Sequence, residues 1–267
     1  MKIHGTAKGG AISKKDFGVA FGGAGAAPAV DDSDLKSYWK FAGGDTPIVN
    51  SSVSDESLGT NADMAITNGA FEVGSPPVND GAVFFNDASS AYGIAGTSVS
   101  QWNFHHNTSP LFTWVVWVKF VSIGHDDYFF ADGDGTEAQY FRMRLSGDNA
   151  FELEIKSDSN TMIAATTSNN SIPDTTDWHM YSFSFDFSLG NTNYVFRRDN
   201  ANEETFNKTA SVGSDSNATD SAQMARKNEA SANFGDFYIS EFSLWNRILT
   251  DDELSELYNS GSGKAIY

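Results

Sequence analysis

The stretch FGDFYISEFSLWNRILTDDELSELYNSG, Phe234 to Gly261, decides the fold because it joins an alternating segment to one short helical segment. In its first half the side chains alternate strictly, which predicts a β-strand with two different faces. The two predicted faces are Phe237, Ile239 and Glu241 on one side, and Tyr238, Ser240 and Phe242 on the other.

The second half of this stretch carries the signals of a helix. Thr250 precedes Glu253 at the spacing of an N-terminal capping box, and aspartates occupy the first turn, where the helix dipole favours them. Gly261 is predicted to end the helix. The side chains predicted to pack onto the body are Leu249, Leu254 and Leu257. The stretch therefore predicts a short helix that closes a body built from strands.

The residues before this stretch read as short β-strands separated by turns. The strongest strand is SPLFTWVVWVKFVS, Ser109–Ser122, which is apolar on both faces and is therefore predicted to lie centrally in a layered fold. The polar segment Glu204–Ser231 is predicted to be rich in loops. Further predicted strands lie in Asp34–Phe41, Met64–Thr67, Gly81–Asp87 and Asp177–Ser188.

Composition limits the chemistry of the chain. Its 267 residues allow one large β domain or two smaller ones, and it contains no cysteine. A disulfide framework, a thiol nucleophile and a cysteine-bound zinc are therefore excluded. The formal net charge is −18, which disfavours binding to nucleic acid or to an anionic membrane surface.

The first 30 residues differ from the rest in charge, with four lysines against one aspartate. A basic, Gly/Ala-rich segment on an acidic body is typical of an arm that docks on a partner; the alternative is a solvated, disordered tail. The residues predicted to dock are Lys2, Lys8, Lys14, Lys15, Phe17 and Phe21. We expect residues 1–30 to form the arm and residues 31–267 to form the folded domain.

The start of the chain, MKIHGTAKGG, contains no apolar core of a secretory signal, and no apolar run reaches the length of a membrane-spanning helix. We therefore expect a protein made in the cytoplasm without a signal peptide and without insertion into a membrane.

ISEFSLWNRILTDDELSELYNSG resembles the closing signature of the laminin-G-like, concanavalin A-like jelly roll domains. Other stretches resemble that family's motifs in the same order: DLKSYWKF, GAVFFNDASSAYGI, LFTWVVWVKF, TTDWHMYSFSFD and NYVFRRDN. The sequence departs from the family at Arg197–Asn200, where the family has Asp-Gly. The resemblance implies an all-β fold, a two-sheet antiparallel jelly roll sandwich, from about Asp34 to Gly261.

Some relatives of this fold are glycoside hydrolases, which use a pair of carboxylates. Glu152 and Glu154 lie two residues apart on one predicted strand, but the third acidic position of the resembled catalytic motif falls on Ser157. Because this match fails, we expect a solvated pair of glutamates and a protein that is not an enzyme, with hydrolase activity as a lesser alternative.

Two further stretches raise the question of a metal. His105 and His106 have no supporting ligand pattern, so an exposed polar loop is expected there. In ADGDGTEAQY, Asp132, Asp134 and Glu137 are candidate calcium ligands of the kind that the resemblance implies. The alternative is a plain Asp-Gly turn, and no other cofactor is predicted.

The function indicated by these features is structural display with adhesion to glycans. Tyr92 and Trp102 are candidates for stacking on sugar rings, the alternative being aromatics that pack within a loop. The arm resembles short N-terminal stretches of marine bacteriophage structural proteins, which implies a virion protein of the capsid or tail, located at the virion surface. The partners expected are other virion proteins, further copies of the chain and a host surface glycan; the alternative is a free carbohydrate-binding module.

Overall fold

A computed structural model describes residues 30, 32, 34–41, 52–53, 63–72, 76–78, 81–96, 99–107, 109–132, 140–156, 162–190, 193–207, 217–218, 220–226 and 234–266. These residues form β-strands, one α-helix and short 3-10 helices at Asp87–Ser89, Val99–His106 and Asn259–Gly261. The elements are β1 (Leu35–Trp39), β2 (Ser52–Val53), β3 (Met64–Thr67), β4 (Ala70–Glu72), β5 (Ala82–Phe85), β6 (Tyr92–Ala95), β7 (Leu111–Phe120), β8 (Tyr128–Ala131), β9 (Tyr140–Leu145), β10 (Phe151–Lys156), β11 (Met162–Thr166), β12 (His179–Asp186), β13 (Tyr194–Arg198), β14 (Ala201–Phe206), β15 (Ala222–Met224), β16 (Phe237–Trp245) and α1 (Asp251–Tyr258).

The described strands form two antiparallel sheets. Sheet 1 has the order β14-β13-β12-β7-β16-β5-β4, and β1 pairs with the C-terminal half of β16. Sheet 2 has the order β11-β10-β9-β8-β15-β6-β3-β2. The edge strands β14 and β11 end the two sheets on the side that forms the site described below. The two-sheet antiparallel sandwich expected from the sequence is confirmed.

Strand β7 is central and buried on both faces, as its sequence predicts. Trp114 and Val116 belong to the aromatic core between the sheets, whereas Val115 and Trp117 belong to a second apolar cluster on the outer face of sheet 1. The ring centroid of Trp114 lies 4.6 Å from that of Phe141 in the opposite sheet. Close aromatic pairs of this kind add to the stabilisation that burial of their area gives.

A β-bulge in β16 changes the alternation predicted for this strand. Ile239 pairs with Val118 and Glu241 pairs with the preceding residue of β7, so Ser240 is the inserted residue. Its buried hydroxyl donates to the Val78 carbonyl oxygen at 2.7 Å. The predicted placement of Phe242 with Tyr238 is wrong, because the bulge returns Phe242 to the inter-sheet core.

Helix α1 closes the outer face of sheet 1 through Leu254 and Leu257, which are buried in the second cluster. The capping box is confirmed, since the Thr250 hydroxyl accepts from the Glu253 amide and the Glu253 carboxylate accepts from the Thr250 amide. The helix ends earlier than predicted. Its C-cap is Asn259 in the left-handed region at φ 45°, not Gly261.

The segment predicted to be loop-rich, Glu204–Ser231, contains regular structure at both ends of its described part. Its start belongs to the edge strand β14, and Ala222–Met224 forms β15 between β8 and β6. Polar composition therefore concealed two strands. No helix among the described residues has the length and apolar character needed to cross a membrane.

Candidate functional site

A surface pocket of about 280 Å³ lies at the sandwich edge, between the turn that follows β11 of sheet 2 and the β13–β14 hairpin of sheet 1. We call it the edge pocket. Its lining residues are Ser168, Asn169, Asn170, Ser171, Phe196, Arg198, Glu203 and Glu204. It combines amide, hydroxyl, carboxylate and guanidinium groups with one aromatic side chain.

The hairpin on one side of the edge pocket has a two-residue turn. Asp199 and Asn200 both have left-handed backbones, at φ 55° and 52°, and Arg198 pairs with Ala201 across the turn. This is the geometry of the tight hairpin turns that favour Asn, Asp and Gly. The sequence therefore keeps the hairpin although Asp199–Asn200 stands where the resembled family has Asp-Gly, because Asn also tolerates the left-handed backbone.

The turn on the other side is held by hydrogen bonds to the β9–β10 turn. The Asn170 amide donates to the Asp148 carbonyl oxygen at 3.0 Å, and the Ile172 amide donates to that of Asn149 at 3.0 Å. The buried hydroxyls of Thr167 and Ser171 lie 2.6 Å apart. This wall of the pocket is therefore fixed before any ligand arrives.

Two hydrogen bonds join the walls of the edge pocket. Arg198 donates through Nη1 to the Ser171 carbonyl oxygen at 2.8 Å, and the Ser168 amide donates to Oε2 of Glu204 at 2.7 Å. Glu203 remains 48% exposed, and Asn169 is exposed. The joined walls leave carboxylate and amide groups facing solvent.

A second pocket of about 320 Å³ lies on the other side of Glu203, next to the start of α1. There Arg197 donates to the carboxylates of Glu203 at 3.0 Å and of Asp251 at 2.8 Å. The guanidinium group is therefore committed to two carboxylates.

His179 clamps the hairpin turn to the loop before β12. Its Nδ1 lies 2.7 Å from Oδ2 of Asp199, and its Nε2 lies 3.2 Å from Oδ2 of Asp174. Both ring nitrogens donate only in the imidazolium form. Burial acts to lower the pKa of His179, but the hydrogen bonds and charges of Asp199 and Asp174 raise it above its ordinary value.

We expect this clamp to weaken with rising pH. A raised pKa gives stability that is complete below the unfolded value of 6.5 and is lost as the pH rises through the folded pKa. Thermal unfolding of the wild type and His179→Gln should therefore differ most below pH 6.5 and converge at alkaline pH. His125→Gln, at an exposed position, is the control, and a wild-type advantage that persists at high pH would contradict the clamp.

His105 and His106 are buried, so the predicted exposed loop is wrong. Both rings donate to Oδ2 of Asp132 at 3.0 Å, and the Phe141 amide donates to Oδ1 at 2.6 Å. Burial acts to raise the pKa of Asp132, but the His106 charge and the histidine hydrogen bonds lower it to about 2. The cluster is a buried ion pair within the aromatic core.

The candidate calcium loop is described only at Asp132, whose two carboxylate oxygens accept the hydrogen bonds just given. Asp134 and Glu137 lie outside the described residues. Calcium binding by this loop stays a prediction. Within the described ranges, no group of His, Asp or Glu side chains is arranged to hold a metal ion.

Of the two aromatic residues predicted to bind a glycan, one is buried and the other has a ring face covered by an arginine. Trp102 is 1% exposed and packs on Trp39 and Phe130, so its prediction as a surface platform is corrected. Tyr92 is half-buried, and the Arg226 guanidinium lies 3.3 Å from its ring centroid. The structure does not bring these two side chains to the edge pocket.

Glu152 and Glu154 lie on the face of β10 opposite its buried side chains, as predicted, but their side chains are only 23% and 14% exposed and are not the solvated pair expected. Each is paired with an arginine of β9, Glu152 with Arg144 and Glu154 with Arg142. The arm residues Lys2, Lys8, Lys14, Lys15, Phe17 and Phe21 lie outside the described residues.

Sequence reasoning missed the edge pocket entirely. Its two walls are far apart in sequence, since Ser168 and Glu204 are separated by 36 residues. The signal in the sequence is the polar run SNNS at Ser168–Ser171, which follows a strand as the RRDN turn does.

Two antiparallel sheets packed on one aromatic core have the architecture of a jelly roll sandwich. A laminin G-type family profile, described as the concanavalin A-like lectin/glucanases superfamily, matches residues 95–255. Because this match covers more than half of the sequence, the chain belongs to that superfamily. No curated protein matches the sequence.

Several solved structures share the fold at low sequence identity. The binding domain of botulinum neurotoxin serotype D/C has a TM-score of 0.61 and 12% identity over 86% of this chain and 52% of that one. A structure of botulinum neurotoxin type C, a toxin whose cell entry is described as dependent on interaction with two ganglioside molecules, has a TM-score of 0.54 and 15% identity. The match covers 81% of this chain and 51% of that one. The chain thus spans about half the length of these toxin chains.

A neighbour of similar size is domain 4 of a GH43 extracellular arabinanase from Geobacillus stearothermophilus, in complex with arabinotriose. It has a TM-score of 0.58 and 14% identity over 86% of this chain and 98% of that chain. At these identities the likeness concerns the fold.

Proposed function

We propose that the domain is a non-catalytic glycan-binding module and that the edge pocket holds the sugar. The observation that carries this proposal is the pocket itself, which is lined by polar groups from the turn after β11 and from the β13–β14 hairpin. Its volume of about 280 Å³ is near the lower end of ligand pockets in proteins. Membership of a superfamily that includes lectins and the arabinotriose complex of one neighbour support it.

The chemistry of the pocket suits a sugar. Sugar hydroxyls both donate and accept, and the Asn169 amide offers both functions while the two glutamates accept. The Asn170 side-chain oxygen already accepts from the Asn149 side chain at 3.2 Å, so Asn170 contributes its donor. Because the walls are already joined by hydrogen bonds, binding costs little ordering of the protein. Pairing of Glu152 and Glu154 with arginines favours a binding role over glycoside hydrolysis.

Asn169→Ala should weaken glycan binding about three- to tenfold, since it removes one hydrogen-bonding amide worth about 0.5–1.5 kcal/mol. An oligosaccharide array followed by calorimetry on the bound glycans would measure this. Asn107→Ala, at an exposed position outside the pocket, is the matched control and should bind normally. Equal affinities for both variants would contradict the edge pocket as the site, and an array without any binder would contradict glycan binding.

The arm supports a second role, docking of this module on a virion capsid or tail protein or on further copies of the chain. This role rests on the lysine-rich composition of residues 1–30 and on their phage-like sequence. Native mass spectrometry of the full chain and of a form lacking residues 1–30 tests self-assembly. An oligomer that the truncation makes monomeric would support it; a monomer in both cases would leave only docking on other virion proteins, tested by co-sedimentation with particles.

A further inference from the structure

We infer that the edge pocket selects neutral oligosaccharides and rejects those that carry carboxylate or sulfate groups. The inference rests on the proposed function, because it names the class of glycan that the same pocket takes. It follows from the charges of the lining residues, among which two carboxylates accompany one guanidinium group.

Arg198 is the cation among the described lining residues, and two carboxylates accompany it. Its Nη1 donates to the Ser171 carbonyl oxygen at 2.8 Å, and its Nε lies 4.0 Å from Oδ2 of Asp199. Glu203 is 48% exposed, and Glu204 accepts the Ser168 amide through Oε2. The pocket therefore presents negative charge to a ligand.

The neighbouring Arg197 does not change the net negative charge of the pocket, because it brings the carboxylate of Asp251 with it. Arg197 lies between Glu203 and Asp251, donating to their carboxylates at 3.0 and 2.8 Å. The chain as a whole carries a net charge of −18. An acidic sugar would have to lose water from its own carboxylate beside Glu203 and Glu204, and in the lining only Arg198, which already donates to the Ser171 carbonyl oxygen, could offset their charge.

A neutral sugar carries no charge for these carboxylates to repel and can donate hydrogen bonds to them. Its hydroxyls donate to the Glu203 and Glu204 carboxylates, and hydrogen bonds to an ionised acceptor are stronger than neutral ones. The Asn169 side chain stands at the exposed rim of the same pocket and supplies donors to the hydroxyl and ring oxygens. The same carboxylates that repel an anion thus bind a polyol.

Matched glycan pairs test the inference on the full-length wild type by calorimetry at low ionic strength. Galactotriose and trigalacturonate differ mainly by carboxylates, and the methyl ester of sialyllactose differs from sialyllactose by the charge of one carboxylate. We expect the neutral member to bind at least about tenfold more tightly, and added salt to reduce this preference because it screens repulsion. Equal or tighter binding of the acidic members would overturn the inference while leaving glycan binding intact. Binding of neither kind would overturn both the inference and the proposed function.

Charge substitutions at Glu203 provide a second test. Glu203→Lys should shift the preference toward the acidic member about tenfold, and Glu203→Gln should shift it less while disturbing Arg197 less. Asp87→Lys makes the same two-unit change of charge at an exposed position after β5, near the other end of sheet 1, and is the matched control. A preference that stays unchanged in both Glu203 variants would contradict repulsion by this carboxylate.

Discussion

Replacing Asp132 with alanine is expected to lower the free energy of unfolding by about 3–5 kcal/mol, the usual cost of removing one partner of a buried ion pair. The side chain is fully buried and accepts from His105, His106 and the Phe141 amide. Burial acts to lower the pKa of His106, but the charge of Asp132 raises it. Without Asp132 the ring would lose its proton, and the histidine N–H groups and the Phe141 amide would be left buried without their acceptor. Urea unfolding followed by tryptophan fluorescence measures the loss.

Two further variants make this test specific. Asp148→Ala, at an exposed turn position, should change stability by less than about 0.5 kcal/mol. Replacing all three polar residues together, as His105→Phe, His106→Leu and Asp132→Leu, should recover part of the loss because no buried charge remains. A loss below about 1 kcal/mol for Asp132→Ala would contradict a charged cluster.

Replacing Leu254 with alanine is expected to cost about 2–5 kcal/mol, the range for buried leucines. Leu254 is 0% exposed and lies in the cluster that joins α1 to Val115 and Trp117 of β7. The variant would leave a cavity beneath a helix of only eight residues, whose stability comes from this packing and its cap.

Leu189→Ala is the matched control for this change, because Leu189 is 45% exposed. It should leave the urea midpoint nearly unchanged. If Leu254→Ala were equally harmless, the closing helix would not contribute to the stability of the sandwich.

Most of the fold could be predicted from the sequence, because the signals for single strands and for the closing helix are local. The alternation in β16 and the two apolar faces of β7 each predict a single strand, and the capping box of α1 spans four residues. The bulge at Ser240 escaped prediction, since an inserted residue has no signal until the partner register is known. Strand β15 is only three residues long and lies in a polar segment, so composition concealed it.

The candidate site was far less predictable, because packing assembles it from distant segments. His105 and Asp132 are separated by 27 residues, and a pair of histidines in a polar stretch gives no sign of burial. The aromatic character of Trp102 makes it a candidate for sugar binding, but whether a loop tryptophan is exposed depends on the core around it. The edge pocket depends on the edges of two different sheets.

The most direct test of glycan binding at the edge pocket is NMR of the arginine Nε–Hε signals during titration with a neutral oligosaccharide. Arg198 lines the pocket, whereas Arg142 pairs with Glu154 on the outer face of sheet 2. We predict a saturable shift of the Arg198 signal, assigned by Arg198→Lys, with the Arg142 signal unchanged. A shift of the Arg142 signal alone, or of neither signal at saturating glycan, would contradict the edge pocket as the binding site.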